Sequence, residues 1–394
     1  LHKAIRRQRQ MCIRDSIKRE NVMKRIYNYL KKDAVLTISW VLAIVSMFFI
    51  KPDKAYAGYI DWRSLGILWS LMIITKGYMQ NGIFEKIGHA LLTRTRKMWQ
   101  LIAVLVGLNF FSSMIITNDV SLITFVPFAI MMLKQCGRQE LMIPVVVLQT
   151  IAANLGSMLT PIGNPQNLYL YGLAGTGIGE FIMWLLPYTI ASALLLVISI
   201  LLIKNKNEII CIEDTDSEAA HNTSVPRVMA YSVLFILALL VVARVLTWYI
   251  LAAAVLITVL LLEKNVLAKA DYALLLTFIG FFIFTGNMGR VESVAHFLAG
   301  IVKGRELEAG IITSQCISNV PAALLLSEFT DNIKNLSIGV NIGGLGTLIA
   351  SMASLISYKL YVNEVPEKKG KYFAVFTVYN IIFLVVLYVF TKLI

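Results

Sequence analysis

The segment NLGSMLTPIGNPQN, residues 154–167, sets three asparagines, two prolines and two glycines inside one of the most apolar stretches of the chain. Pro161 and Pro165 remove backbone donors and disfavour helix just before them, while Gly156 and Gly163 permit turns of positive φ. A helix is expected to unwind here and expose carbonyl oxygens that can coordinate a hard cation such as sodium, with Asn154, Thr160, Asn164 and Asn167 adding side-chain polarity. Two further polar interruptions, Thr117-Asn118-Asp119 and Ser318-Asn319-Val320-Pro321, read as hairpin turns. Each would aim a helix N-terminus, with its partial positive charge and N–H donors, at the same central region, which suits an anionic group. Asp119 adds a carboxylate. At the centre of a bilayer a carboxylate costs roughly 2.5–3.5 kcal/mol on insertion scales, so an ion-binding or proton-exchanging role is expected of it.

These landmarks recur. NLGSMLTPIGN (154–164) has a counterpart in NIGGLGTLIAS (341–351), which puts Asn341, Gly343 and Thr347 in register with Asn154, Gly156 and Thr160. Thr117-Asn118-Asp119 pairs with Ser318-Asn319-Val320. Ahead of both, residues 61–92 and 271–300 share an Asp, a long apolar run, a Gly-x-Met and a Glu four residues before a His (Glu85 and His89, Glu292 and His296). The two histidines are expected near membrane surfaces, in solvated or structural roles.

The elements that must carry these residues are membrane-spanning helices. The chain of 394 residues is 58% hydrophobic and only 15% charged, against about 25% charged in a soluble domain. Runs such as 34–50, 181–203 and 372–394 reach or approach the roughly 17–25 apolar residues that a helix needs to cross a bilayer. With the N-terminus placed in the cytoplasm, the short loops sort twenty basic residues inside and nine outside, as the bias of Lys and Arg toward cytoplasmic loops requires. Trp40, Trp62, Trp99, Trp184 and Trp248 fall near span ends, as interfacial anchors do. Residues 98–133 are basic at both ends and are expected to enter and return as a hairpin with its turn at Thr117-Asn118-Asp119. Residues 308–329 form the matching hairpin from the other side. The Asp61 span then runs inward and the Asp271 span outward, so the halves are read as repeats inverted in the membrane, the organisation of many secondary transporters.

The fold expected is therefore all-α and polytopic: two inverted-topology repeats, each with a re-entrant hairpin and a broken transmembrane helix. The first repeat with its N-terminal helix is assigned to 23–203, a polar cytoplasmic linker to 204–226, and the second repeat to 227–394. Residues 11–16, MCIRDS, read as translated adapter DNA, so 1–22 are expected to be a sequencing artefact or a disordered tail, with Met23 the native start. Their seven Lys and Arg against two Asp and Glu supply about five of the thirteen net positive charges.

The stretch GSMLTPIGNPQNL (156–168) resembles the Thr-Pro-x-Gly-x-Pro-x-Asn segment of the ion transporter superfamily with citrate-transporter-like domains. That group includes divalent anion/sodium symporters, arsenite permeases and sodium/proton antiporters. The likeness runs from Lys32 to the C-terminus. It implies a homodimer in the plasma membrane that moves its substrate-carrying part against a scaffold, transporting a small anion with sodium or protons as the coupling ion and no other cofactor. The hairpin tips resemble the Ser-Asn-Thr motifs of the carboxylate branch but depart from them. Asn-Asp and Asn-x-Pro at these places are closer to the arsenite and sodium/proton branches. The substrate-binding set read from these motifs is Thr117, Asn118, Asp119, Thr160, Pro161, Asn164, Pro165, Ser318, Asn319, Pro321 and Thr347. The sodium set is Asn118, Asp119, Asn154, Gly156, Gly163, Asn319, Asn341 and Gly343.

Other classes lack their residues. No HExxH, no nucleophile with its base and no GxxxxGK[ST] phosphate loop occurs, so neither an intramembrane enzyme nor an attached ATPase is indicated. The cysteines have no metal-like spacing, and the positive charge belongs to loops beside spans rather than to nucleic-acid binding. An ion channel could share polar hairpins, but matched breaks in two repeats fit alternating access better.

Overall fold

The computed structural model describes residues 34–92, 95–203 and 224–394, and every regular element among them is helical. The artefact or tail assigned to 1–22 and the start at Met23 lie outside the described residues, as do residues 204–223 of the linker assigned to 204–226, whose last residues, Val225 and Pro226, open a helix instead. The helices are α1 (Ala34–Ser46), α2 (Tyr56–Tyr59), α3 (Trp62–Gln80), α4 (Ile83–Leu92), α5 (Met98–Ile116), α6 (Asn118–Gln135), α7 (Met142–Ser157), α8 (Pro165–Ala174) and α9 (Ile178–Leu202). After the undescribed segment come α10 (Val225–Val242), α11 (Trp248–Leu262), α12 (Tyr272–Gly289), α13 (Glu292–Val302), α14 (Glu306–Ile317), α15 (Asn319–Leu326), α16 (Ile333–Ile342), α17 (Met352–Glu364) and α18 (Lys369–Thr391).

Six of the described helices are long and apolar enough to cross a membrane: Met98–Ile116, Gln139–Ser157, Ile178–Leu202, Val225–Val242, Tyr272–Gly289 and Pro366–Thr391. At 1.5 Å per residue, even the shortest of them is about 27 Å long, close to the thickness of the hydrocarbon core. Rows of large apolar side chains face outward, among them Leu194, Val197, Ile198 and Leu201 on α9 and Ile382, Val385, Val386 and Val389 on α18. Contiguous exposure on this scale marks a membrane-facing surface. The protein is an all-α polytopic membrane protein.

Two compact units share the chain. One joins residues 34–60 with 271–291 and packs α1 and α2 on α12. Asn287 is its polar key: its Nδ2 donates to Ser46 Oγ at 2.9 Å and to the Tyr56 hydroxyl at 2.8 Å. Arg290 donates to Asp53 and to the Tyr59 hydroxyl, both at 2.8 Å. Asp271 caps α12 through a bond from Leu274 N, just as Asp61 caps α3 through a bond from Ser64 N, with nearly equal dihedrals at the two aspartates.

The other unit spans 61–270 and 292–394. At its heart is α7, in which every residue but Pro144 is buried, with α5, α6, α9, α17 and α18 packed around it. A continuous apolar surface alone would let such helices slide, because lipid is as apolar as their side chains. Small residues and side-chain hydrogen bonds fix the packing instead. Gly156 shows the first: a Cβ there would collide with the Phe110 carbonyl oxygen and lie 2.7 Å from Ser113 Oγ. Gln149 shows the second, its Nε2 donating to the carbonyls of Leu105 and Phe125 at 3.2 Å each.

Candidate functional site

Both hairpins form, and each turns on a single residue. Helix α5 passes to α6 through Thr117 and α14 passes to α15 through Ser318. The dihedrals of the two residues nearly coincide, φ 75° and ψ 147° at Thr117, φ 76° and ψ 153° at Ser318. A residue with a Cβ holds that region at a cost of about 1–3 kcal/mol, a cost that persists where the surrounding structure over-determines the turn. What over-determines it here is a backbone bond from the next residue to a break: Asn118 N donates to Gly163 O at 3.1 Å, and Asn319 N donates to Ala350 O at 2.9 Å.

The breaks also correspond. In the first, α7 ends at Ser157 and α8 begins at Pro165, with Asn164 as N-cap accepting from Asn167 N at 2.9 Å. In the second, α16 ends at Ile342 and α17 begins at Met352, with Ser351 as N-cap. Thr160 donates to the carbonyl of Met114 at 2.5 Å, and Thr347 donates to that of Gln315 at 3.3 Å. Gly343 packs against Ile311 and Ser314 as Gly156 packs against Phe110 and Ser113.

Between the breaks the bonds are exchanged. Ser351 Oγ donates to Asn154 Oδ1 at 2.9 Å, and Asn164 Nδ2 donates to Asn341 Oδ1 at 3.1 Å. Asn154 Nδ2 reaches Ser354 Oγ at 3.3 Å, and Asn341 Nδ2 reaches Asn167 Oδ1 at 2.6 Å. Asn118 Nδ2 joins the same cluster through Asn154 Oδ1 at 3.3 Å. Reciprocal contacts of this kind are what a two-fold axis between equivalent elements produces. The side chains involved are nearly sealed, none of Asn118, Asn154, Asn164, Asn167, Asn341, Ser351 and Ser354 exceeding 6% exposure. Burial of so many polar groups is tolerable only because each finds partners.

The predicted residues are thus brought together in one cluster with graded roles. Asn118, Asn154, Asn164, Gly163 and Asn341 are members of the bonded network. Asn319 lies against Gly344, where an added Cβ would be 2.8 Å from its Nδ2. Pro161 and Pro321 are buried in the first turn and in α15, and Pro165 is the first residue of α8. Thr347 stands at the exposed rim. Asp119 is half-buried and its amide donates to Asn118 Oδ1 at 3.0 Å; the described bonds between tip and break run through Asn118.

Sequence reasoning passed over Gln315, Ser351 and Ser354. Ser351 is the register counterpart of Asn164, so the repeat could have found it. Gln315 has Met114 as its counterpart and bonds to residues 28 and 30 positions away, so no local pattern points to it. Beside the first hairpin tip lies a cavity of about 790 Å³ walled by Tyr78, Phe84, Val104, Leu108, Ile116 and Phe125. Its lining is almost wholly apolar, with no charged side chain and only the hydroxyl-bearing Tyr78, Ser112 and Ser232 as polar residues.

Residues 23–334 match the family described as Citrate transporter. The chain is 31% identical over 361 residues to an uncharacterized transporter of Methanocaldococcus jannaschii, covering 91% of this chain and 97% of the relative. It is 30% identical over 340 residues to the inner membrane protein YbiR of Escherichia coli, covering 81% and 86%. A silicon efflux transporter of Oryza sativa is 31% identical over 143 residues, 36% of this chain and 29% of that protein.

Proposed function

The chain belongs to the citrate transporter family, and from that premise we propose that this membrane transporter carries a small anion, a carboxylate or an oxyanion, by alternating access coupled to a cation. One observation carries the reading. Two broken helices exchange equivalent hydrogen bonds, Ser351 to Asn154 and Asn164 to Asn341, at a buried polar junction that both hairpin tips also reach. The starts of α6, α8, α15 and α17 all adjoin this junction. Their partial positive ends suit an anionic group without any cationic side chain. Inverted repeats would let the same bonds form and break on opposite sides of the membrane in turn. The resemblance that marks the family also implies a homodimer in the plasma membrane, and the bias of Lys and Arg toward the loops read as internal supports a cytoplasmic N-terminus.

A second reading, efflux of an oxyacid such as arsenite or exchange of sodium for protons, is favoured by Asp119. It places a carboxylate in the hairpin tip next to Asn118. The likeness to a silicon efflux transporter supports the oxyacid form of this reading.

The readings separate in proteoliposomes given labelled citrate, succinate or arsenite on the outside. The carboxylate reading predicts saturable uptake that unlabelled substrate on the far side accelerates. Flux of arsenite alone would shift the assignment to the second reading, and non-saturating flux would indicate a channel.

A further inference from the structure

Sodium binding at a broken helix needs several carbonyl and side-chain oxygens turned toward one point and free of other donors. Five of the oxygens expected to bind it already accept hydrogen bonds within the protein. Asn118 Oδ1 accepts from Asp119 N, Asn154 Oδ1 from Ser351, Asn341 Oδ1 from Asn164, Gly156 O from Leu159 N and Gly163 O from Asn118 N.

Four further carbonyls of the breaks, those of Met158, Thr160, Gly343 and Leu345, are gathered by two carboxamides. Gln315 Nε2 lies 2.8 Å from Gly343 O, 2.9 Å from Leu345 O and 3.2 Å from Ile311 O. Its Oε1 accepts from Thr347 N at 2.9 Å. A backbone N–H can only donate, so the atom facing it is the oxygen and the atom among the carbonyls is the NH₂. In the first break Asn167 Nδ2 lies 2.7 Å from Met158 O and 3.2 Å from Thr160 O, while its Oδ1 accepts from Asn341. Met158 and Leu345 are register counterparts in the repeat. Gly346, at φ 104°, has no Cβ to collide with the Gln315 amide.

From these contacts we infer that the amides of Gln315 and Asn167 occupy the positions coordinated cations would take in the two breaks, so that this chain holds its transport site together without sodium. An NH₂ group set among carbonyls supplies the partial positive charge they require and blocks an ion from the same place. The inference rests on the breaks being the transport site.

The test is thermal unfolding of the purified protein in sodium chloride against choline chloride at equal ionic strength, with no substrate. The expected result is the same midpoint in both. A sodium-specific rise of about 2 °C or more would overturn the inference, since an ion bound only to the folded state raises stability by mass action. Gln315→Glu replaces the NH₂ by an anionic oxygen facing the carbonyls, and is expected to unfold earlier in choline and to recover in sodium. Equal midpoints for Gln315→Glu and wild type in choline would also overturn it, by reducing the amide to a packing contact. Where Gln315→Glu does not fold, the wild-type comparison decides alone. Absence of anion flux from wild-type vesicles with sodium-independent stability would contradict the transport reading, leaving only the statement that the two amides hold the breaks without sodium.

Discussion

Ser351 donates its hydroxyl to Asn154 Oδ1 at 2.9 Å across 197 residues of chain, so the cap of one broken helix is held by the end of the other. Asn154→Ala would leave Asn118, Ser351 and Ser354 without their bonds in a buried site. An unsatisfied buried group costs about 1–3 kcal/mol. Asn154→Ala is expected to lower the unfolding free energy by at least that, and Asn341→Ala by a similar amount. A double-mutant cycle between Asn154→Ala and Ser351→Ala should return a coupling of about 1 kcal/mol. Strict additivity in denaturant titrations would show that the bond contributes nothing.

The glycines of the breaks separate close approach from mere flexibility. Gly156→Ala drives a methyl group into the Phe110 carbonyl oxygen and Gly343→Ala brings one within 2.9 Å of Ile311 Cα, so each should lose about 1–3 kcal/mol or more by overpacking. Gly107, in α5, has nothing within 4 Å of an added Cβ. Gly107→Ala should stabilise by about 0.5–1 kcal/mol through helix propensity. Equal effects at Gly156 and Gly107 in thermal unfolding would contradict the packing described.

Strain at the tips gives an opposite pair of signs. Thr117→Gly and Ser318→Gly relieve a positive φ that disfavours residues with a Cβ. Each is expected to raise the unfolding midpoint while slowing flux, because a relaxed turn no longer presents Asn118 or Asn319 to its break in one geometry. A variant with higher stability and unchanged flux would show that the strain has no part in transport.

Asp119→Asn keeps the side-chain size and removes the charge. If Asp119 carries the coupling proton, flux in Asp119→Asn vesicles should lose its pH dependence and its response to an imposed proton gradient, with the protein still folded. A wild-type pH profile in that variant would reduce Asp119 to a solvated turn residue.

Much of this arrangement was legible in the chain. The helix-breaking content of 154–167 located the first break, the register of 341–351 located the second, and Thr117-Asn118-Asp119 and Ser318-Asn319 located the tips to the residue. What was not legible is where the exposed carbonyls turn. Sequence shows which backbone cannot be helical, but the donors that satisfy it come from elsewhere in the chain. Gln315 reaches 28 and 30 residues onward from the last turn of α14, and Ser357 meets Thr150 across 207. Such pairings depend on packing between helices that no periodicity records. Hence the carbonyls around Gly156, Gly163 and Gly343, read from the sequence as open to a cation, are found bonded within the protein.

The measurement closest to the central claim is labelled-anion counterflow in proteoliposomes for wild type, Asn118→Ala and Asn319→Ala, with folding checked by unfolding midpoint. A transport site at the junction of tips and breaks predicts saturable, trans-accelerated flux in the wild type and at least a tenfold loss in each variant, about 1.4 kcal/mol or more of transition-state stabilisation. Wild-type rates in both folded variants, or flux that rises linearly with concentration, would contradict it.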